Sequence, residues 1–314
     1  MSEKRWDVVA AGDLFIDLVM SGFEKLPALG EEGFASALGR ETGGGSANTA
    51  SGLAKLGARA ALMGIVGGDE AEWFSERFGE RQVDTSMLKA DSATASAITV
   101  AVSTPADRIF YTYYGPNEQL PHLLQQPETW EQLAEARHAH FAMPVEPDLL
   151  HDLCRWLRER GTSTSIDVGW QEQWLDSTAS RRALAQVDWF LPNEREAERM
   201  TPESDPARAL DWFAAQGARG VAIKLGPEGS AARVNGACRV VPSIRVNPID
   251  TTGAGDCFDA GFLWAILRGM PLADCLRCGN ICGALSTQAA GGIAGFPSLE
   301  RLHALLGAEA AQAR

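Results

Sequence analysis

The sequence has little positive charge, few cysteines and no long apolar run. Its 314 residues include 41 acidic side chains against 28 lysines and arginines, which gives a formal net charge of −13. That balance argues against general nucleic-acid binding, because proteins that bind nucleic acids present a basic surface. No apolar run approaches the length of a membrane span, and the N-terminus shows no signal-peptide pattern. We therefore expect a cytoplasmic protein that binds neither nucleic acid nor membranes.

The few cysteines and histidines do not form a recognisable metal site. Six cysteines are too few for a disulfide framework at this length. Cys275, Cys278 and Cys282 are spaced like residues on one face of a helix, and no fourth ligand for a metal lies nearby. Core packing is therefore favoured over an iron–sulfur or metal cluster. His138 and His140 would point to the same side of a strand, where a structural role is favoured because no third ligand accompanies them.

Two familiar motifs are also absent, the Gly-x4-Gly-Lys-Ser/Thr phosphate loop and the His-Glu-x2-His metal pair. The GGGSAN segment at 43–48 precedes a predicted helix, and its glycines would let a ligand approach the backbone. Alternatively, Ser46 is a helix N-cap after an ordinary turn. The segment differs from the dinucleotide fingerprint because Asn48 stands where that pattern has its last glycine.

Short apolar runs alternate with helical stretches along most of the chain. Predicted strands occupy 6–12, 60–67, 138–143, 162–167, 188–193 and 220–226, and predicted helices occupy 47–56, 70–81, 148–160 and 208–216. This alternation indicates a mostly parallel sheet covered by helices on both faces. Two segments, about 14–41 and 93–114, alternate with period two and indicate β-hairpins. We predict one α/β domain over 1–314, with a three-layer α/β/α core and a small β-sheet lid over the site.

Two motifs follow predicted strands and allow two interpretations each. In the NERE segment, Asn193 and Glu196 match a helix capping box, or they organise a hydrated Mg²⁺. The KLGPEG segment at 224–229 is a hairpin turn, or a glycine turn that accepts a nucleotide phosphate with Lys224 supplying charge.

The DTTGAGDCF segment at 250–258 combines a glycine turn with a carboxylate at a predicted helix start. Free N–H groups and the helix dipole favour an anion there. Asp256 would stabilise the helix start by several tenths of a kcal/mol, which is one explanation for it. However, Gly253 and Gly255 lower the local helix propensity, so an anion site with a reactive carboxylate is the stronger interpretation.

Together, GGGSAN, NERE, KLGPEG and DTTGAGDCF occur in an order that resembles the ribokinase family of phosphofructokinase-B-type sugar kinases. The resemblance implies a ribokinase-like fold and an ATP-dependent kinase that uses Mg²⁺ and often an activating potassium ion. It implies that Asp256 is the catalytic base and that an anion hole is formed by Gly253, Ala254 and Gly255. Exposed lid edges pair between subunits in many relatives, which implies a possible homodimer through the lid.

The same resemblance assigns the remaining site residues. It implies that Asn193 and Glu196 organise Mg²⁺ and phosphate, that Gly226 and Gly229 form a nucleotide-binding turn, and that Asn280 lines the adenine pocket. The monovalent cation would be held by Asp250, Thr252, Ala289 and Gly291. The sugar would be bound by Asp13, Asp17, Gly44, Gly45 and Asn48, with Arg108 as a further contact from the lid.

Departures from the family pattern bear on the acceptor. Ribokinase has Lys at the position of Gly45, Asn at that of Phe15 and Glu near Ala142, so ribose itself is not favoured. Kinases of phosphosugars also tend to place Lys at the position of Gly45. The segment 167–174 keeps only part of the 2-keto-3-deoxygluconate kinase pattern. We expect phosphorylation of a primary hydroxyl on an unphosphorylated sugar or sugar acid.

Two alternatives remain open from the sequence. A nucleoside kinase is compatible with the aromatic residues on the second lid segment, which are Tyr111, Tyr113 and Tyr114. The sequence leaves open which face of that hairpin meets the substrate. A catalytically silent sugar- or nucleotide-binding protein is less favoured, because Asp256, the anion hole and the NERE pair are all retained.

Overall fold

The computed structural model describes residues 3–103 and 108–312, and a large sheet between two helical layers dominates it. The strands are β1 (Trp6–Gly12), β2 (Phe15–Ser21), β3 (Ala37–Gly43), β4 (Ala60–Gly67), β5 (Asp84–Asp91), β6 (Ile98–Ser103), β7 (Arg108–Tyr113), β8 (Ala136–Ala142), β9 (Ser163–Ile166), β10 (Trp189–Phe190), β11 (Gly220–Lys224), β12 (Ser230–Val234) and β13 (Ala237–Val241). Of these strands, nine form the large sheet in the order β13-β12-β11-β10-β9-β8-β1-β4-β5. From β11 to β5 all neighbours are parallel, while β12 and β13 form an antiparallel edge.

Helices cover both faces of this sheet. They are α1 (Gly45–Lys55), α2 (Ala71–Glu80), α3 (Leu120–Leu124), α4 (Pro127–Ala134), α5 (Pro147–Glu159), α6 (Glu172–Asp176), α7 (Thr178–Ala183), α8 (Glu194–Met200), α9 (Pro206–Ala215), α10 (Ala254–Ile266), α11 (Leu272–Ser286) and α12 (Leu299–Gln312). In β1, Val8 packs in the core on the side of α1 and α10, and Val9 packs in the core on the opposite side. Burial on both faces explains the continuous apolar strands. The predicted three-layer α/β/α fold is confirmed.

The cysteines and histidines singled out from the sequence lie in the core. Cys275, Cys278 and Cys282 are buried on α11 as free thiols, as their helical spacing predicts. His138 and His140 are buried on β8, and both rings hydrogen-bond to Ser165 of β9, at 2.8 Å in each case. These side chains connect neighbouring strands, so the structural interpretation of the two histidines is confirmed.

Three strands, β9, β10 and β11, are shorter than predicted, and the difference is largest for β10. The strand expected at 188–193 covers only Trp189–Phe190. Pro192 has no N–H for the sheet, and its carbonyl accepts a hydrogen bond from the Lys224 backbone at 2.9 Å. Pairing then ends with an isolated bridge between Asn193 and Lys224. The early end of the strand places these two residues side by side at the carboxyl edge of the sheet.

A second sheet projects from the core, and we call it the lid sheet. Its strand order is β3-β2-β6-β7, with β2 antiparallel to β3 and parallel to β6, and with β6 antiparallel to β7. Ile16 is buried in the core, and Leu18 and Ile98 pack against it. Alternation along the strand turns Asp17 to the opposite face.

No helix within residues 3–103 and 108–312 is both long enough and apolar enough to cross a membrane.

Candidate active site

The N-terminus of α10 forms the centre of the candidate site. Gly253 precedes the helix with φ of 70°, a conformation that glycine adopts without strain. A Cβ atom there would lie 2.8 Å from Nδ2 of Asn48 and 2.9 Å from the backbone of Gly292. The chain therefore approaches α1 and the 291–292 loop closely, as only glycine allows. The first N–H groups of α10 lie at the edge of a cavity of about 740 Å³.

Asp256 lies in the first turn of α10 and its carboxylate faces α1. Its Oδ2 accepts a hydrogen bond from Nδ2 of Asn48 at 2.9 Å. Burial and the nearby Asp167 charge raise the pKa of Asp256 to about 6, although Asn48 and Lys224 act in the opposite direction. A Cβ atom at Gly45 would lie 3.2 Å from Oδ1 of Asp256. The Asp256 carboxylate therefore lies beside the GGGSAN turn and also lines the cavity, a position from which a carboxylate can accept a proton from a ligand.

Two more carboxylates lie near the root of the lid sheet. Asp13, between β1 and β2, accepts a hydrogen bond at Oδ2 from the Tyr114 hydroxyl at 2.6 Å. Its Oδ1 is buried and has no hydrogen-bond partner within the described part of the chain. Burial raises the pKa of Asp13 to about 6, opposed by the Tyr114 bond. Burial and the neighbouring Glu41 charge likewise raise the pKa of Asp17 to about 6. Half-buried carboxylates, of which Asp13 has an unpartnered acceptor oxygen among the described residues, suit a ligand that carries hydroxyl groups.

Gly44 connects this carboxylate pair to α1 and tolerates no side chain. Its φ is 103°, and a Cβ atom would lie 2.1 Å from the backbone oxygen of Asp13. We expect Gly44→Ala to lower the free energy of unfolding by about 3 kcal/mol. The alanine would have to adopt a strained φ, and the Asp13 backbone would have to move away from its Cβ atom. Gly57→Ala is the matched control, since Gly57 has φ of 77° but nothing within 4 Å of its Cβ position. It should cost only about 1 kcal/mol.

Denaturant unfolding of both variants tests this difference. An equal cost at the two positions would show that the close approach of Gly44 to Asp13 has no energetic consequence.

The cavity beside α10 extends to β11, α8 and α11. Residues of the 243–248 segment line it. It is also lined by the residues predicted to bind the nucleotide and Mg²⁺, which are Asn193, Glu196, Lys224, Gly226, Gly229 and Asn280. Gly226 and Gly229 have φ of 55° and 108° in the turn that joins β11 to β12. That turn is therefore the hairpin turn considered from the sequence, and it also borders the cavity. Asn280 anchors the cavity wall by donating from Nδ2 to the Val241 carbonyl at 3.0 Å.

The NERE segment forms the capping box that its spacing predicts. The Asn193 Oδ1 accepts from the Glu196 backbone at 3.0 Å, and the Asn193 backbone donates to Glu196 Oε2 at 2.9 Å. Nδ2 of Asn193 donates to the other carboxylate oxygen at 2.5 Å. Burial and the Asp167 charge raise the pKa of Glu196 to about 7. Both side chains line the cavity, so the capping interpretation holds without excluding a role toward a ligand.

Lys224 forms ion pairs with two carboxylates that no sequence motif assigns to the site. Its Nζ lies 2.6 Å from Oδ2 of Asp167 and 3.3 Å from Oδ1 of Asp259. Although burial opposes the charge, these carboxylates raise the pKa of Lys224 well above its usual range. The signal for Asp259 is a lone carboxylate in the apolar stretch of α10, three residues after Asp256. Asp167 follows β9 directly, as site residues in parallel sheets commonly do.

Part of the predicted cation site is also brought together. The Asp250 carboxylate accepts from the Thr252 backbone at 2.9 Å and from the Gly291 backbone at 3.0 Å. Ala289 belongs to the same 287–291 turn. Arg108 begins β7, opposite Ser103 of β6, and its side chain lies outside the described residues, so its role stays a prediction.

The structure resolves which lid tyrosine reaches the site. Tyr111 and Tyr113 are 64% and 52% exposed, whereas Tyr114 contacts Asp13. Tyr114 also packs against Phe15, with ring centroids 5.8 Å apart. Tyr114 directly follows β7, and strand alternation alone does not show which face of a hairpin covers the site.

Comparisons with known proteins agree with this architecture. The chain is 29% identical to the 2-dehydro-3-deoxygluconokinase of Bacillus subtilis, over 85% of this chain and 86% of that protein. It is 25% identical to the ribokinase of the same organism, over 96% and 99% of the two chains. Among solved structures, Arabidopsis thaliana ribokinase complexed with ribose and ATP superposes with a TM-score of 0.85 at 24% identity, covering 96% of this chain and 98% of that one.

A family model also matches the chain. Residues 7–299 match the model described as pfkB family carbohydrate kinase, which includes every predicted site motif. The chain therefore belongs to the pfkB family of carbohydrate kinases.

Proposed function

We propose that the protein transfers the γ-phosphoryl group of ATP to a primary hydroxyl of an unphosphorylated sugar or sugar acid. The observation that carries this proposal is the Asp256 carboxylate, which lies at the N-terminus of α10 and faces the GGGSAN turn. The N–H groups that would bind the phosphoryl group and the carboxylate that would accept the proton therefore lie in the same first turn of α10. Phosphoryl transfer needs this combination of positioning and charge stabilisation.

The chain's own residues account for the proton and the charge in this reaction. The acceptor hydroxyl gives its proton to the Asp256 carboxylate as its oxygen forms a bond to the γ-phosphorus. The bond between that phosphorus and the bridging oxygen of ADP breaks, and ADP leaves with the electron pair. The backbone N–H groups that follow Gly253 stabilise the charge on the transferred group.

The acceptor side favours a ligand rich in hydroxyl groups. Asp13 and Asp17 are hydrogen-bond acceptors, and Asp13 Oδ1 is buried without a donor among the described residues. Gly45 presents no side chain to Asp256, and a Cβ atom there would lie 3.2 Å both from Oδ1 of Asp256 and from Cβ of Ala142, so any larger residue would fill the space next to the carboxylate. Within the proposed class, neutral sugars fit these carboxylates better than sugar acids do, because like charges repel.

Mg²⁺ and a monovalent cation complete the proposal. Both carboxylate oxygens of Glu196 already accept bonds from Asn193, so this pair fits a magnesium ion that keeps its waters, rather than direct coordination. When bound with the nucleotide, the ion supplies charge neutralisation at the phosphates. Potassium would be held near Asp250, whose carboxylate already joins Thr252 to the Gly291 loop. Asn280, Gly226 and Gly229 would border the base and phosphates of ATP.

A nucleoside kinase is the second candidate. The Phe15 and Tyr114 rings form an aromatic pair beside Asp13, and such a pair can stack against a base. A homodimer through the lid sheet also stays a prediction, consistent with the exposed side chains of Phe34 and Leu38.

Release of ADP across a panel of acceptors tests the function and separates the two candidates. We expect kcat/KM to be at least tenfold higher for one or more neutral sugars than for any nucleoside, sugar acid or phosphosugar. The same panel with Asp256→Asn measures the background. A nucleoside at the top of the ranking would favour the second candidate, and no acceptor above background would contradict a kinase function.

A further inference from the structure

Lys224, Asp167 and Asp259 form a buried charge cluster below the start of α10. Lys224 ends β11 and is 9% exposed, while Asp259 on α10 is 0% exposed. Nζ of Lys224 lies 2.6 Å from Asp167 and within 3.3–3.4 Å of both Asp259 oxygens. Taking a lysine and two carboxylates out of water is costly unless they pair closely. The three residues therefore depend on one another for their charge states.

The cluster lies directly against the anion-binding backbone. A Cβ atom at Gly255 would be 3.5 Å from Nζ of Lys224, so the ammonium lies beneath the second residue of the helix. A positive charge at this place adds to the field of the helix N-terminus. In a partly desolvated site, such a fixed charge has a stronger effect on a bound anion than it has in water.

Helix geometry connects Asp259 with the proposed base. Residues three apart share a helix face. The Asp256 carboxylate accepts a hydrogen bond from Asn48 of α1, and the Asp259 carboxylate contacts Lys224 at the end of β11. The rest of the middle of α10 is apolar and buried, including Cys257, Phe258 and Ala260. A carboxylate in this stretch costs both helix propensity and desolvation. A hydrophobic pair of similar volume would stabilise a core at least as well as a buried ion pair does.

We propose that Lys224 is a fixed electrostatic part of the anion hole and that Asp259, together with Asp167, positions its ammonium beneath Gly255. This inference rests on the proposed function, because it concerns the site where the phosphoryl group is transferred. Lys224 then stabilises the transferring group from below the backbone, while the first N–H groups of α10 bind it directly. Asp259 touches no reacting atom and acts only through Lys224.

Kinetics of two variants test the proposal. Lys224→Met/Asp167→Asn removes the cation and its closest carboxylate together. Asp259 then loses its cation, but burial already raises its pKa, so it can take up a proton and leave no unpaired charge in the core. We expect its kcat to fall about 100-fold, as for loss of one donor to a developing negative charge. Asp259→Asn keeps the Lys224–Asp167 pair but frees one side of the ammonium. We expect its kcat to fall about tenfold, with KM for ATP and for the acceptor changed less than twofold.

A kcat of the double variant within threefold of the wild type, with unfolding midpoints alike, would show that Lys224 has only a structural role. An Asp259→Asn variant with wild-type kcat would remove the positioning role of Asp259. A loss that appears in KM rather than kcat would equally overturn the proposal, because it would assign the cluster to ground-state binding.

A binding measurement separates this proposal from the proposed function. Beryllium fluoride with Mg·ADP imitates a bound γ-phosphoryl group and needs no acceptor. We expect the wild type to bind Mg·ADP at least tenfold more tightly when beryllium fluoride is present, and the double variant to lose this gain. If no acceptor is turned over but the difference persists, the kinase function fails, and the role of Lys224 is limited to binding a phosphoryl group at the start of α10. If turnover is normal and the gain is equal in both proteins, only the role of Lys224 fails.

Discussion

Asp256→Asn is expected to lower kcat by about 10²- to 10⁴-fold, the effect of removing a general base. The amide has nearly the same shape and can still accept a hydrogen bond from Asn48, which lies 2.9 Å from the carboxylate. Binding of Mg·ATP should therefore change little. Single-turnover kinetics with any accepted sugar, together with calorimetric nucleotide titration, measures the two effects separately.

Asp274→Asn provides the matched control for this variant. Asp274 also lies in the first turn of a helix, α11, and its carboxylate pairs with Arg277 at 2.5 Å. The substitution removes the same charge from the same helical position away from the site. We expect unchanged kcat. An Asp256→Asn enzyme with undiminished turnover would exclude Asp256 as the base.

Asp256→Asn should also make the folded protein more stable than the wild type. Because the pKa of Asp256 is raised to about 6, the folded state binds this proton more tightly than the unfolded chain does. The ionised carboxylate therefore destabilises the fold increasingly as the pH rises from about 4 to 6, and fully above that range. We expect Asp256→Asn to raise the free energy of unfolding by about 1 kcal/mol at pH 8 and by less at pH 4. Denaturant unfolding at the two pH values measures this.

Elements with strong local patterns could be predicted from the sequence. The apolar run of β4 fixes its ends at Ala60 and Gly67, as predicted. The helical spacing of the cysteines likewise places them correctly on α11. Where one residue breaks a pattern, the prediction fails, as at Pro192, whose missing N–H ends β10 early.

The site was predictable only where its residues are neighbours in sequence. The glycine turn before α10 and the capping box of α8 each carry their own local signal. The Lys224–Asp259 contact joins residues 35 positions apart, and Tyr114 reaches Asp13 across 101 positions. Such contacts depend on strand order and on how the lid sheet meets the core, which periodicity does not encode. Local motifs therefore predict the anion-binding turn and the capping box, whereas the side chains that contact Lys224 and Asp13 can be identified only from the fold.

Activity is expected to fall steeply below pH 6. Asp256 must be ionised to accept a proton, and its pKa in the folded protein is about 6. The pKa values of Asp13 and Asp17 are also about 6, and protonation would remove acceptor positions for substrate hydroxyls. At saturating acceptor and Mg·ATP, we therefore expect kcat to decrease about tenfold per unit below pH 6, as Asp256 takes up a proton. In kcat/KM, which reports on the free enzyme, the decrease should exceed tenfold per unit because several carboxylates contribute.

Glu41→Gln separates these contributions. Glu41 is a half-exposed lid residue whose charge raises the pKa of Asp17. Its removal should shift the acid limb of kcat/KM to lower pH, because Asp17 then stays ionised further into acid. The acid limb of kcat should not move, since Glu41 does not act on Asp256. A shift of both profiles by the same amount would assign the acid limb to a single group near the lid, and not to a base on α10. Profiles of kcat and kcat/KM measured from about pH 4.5 to about pH 8 distinguish these outcomes. If the base lies on α10, removing the Glu41 charge from the lid leaves the kcat profile unchanged.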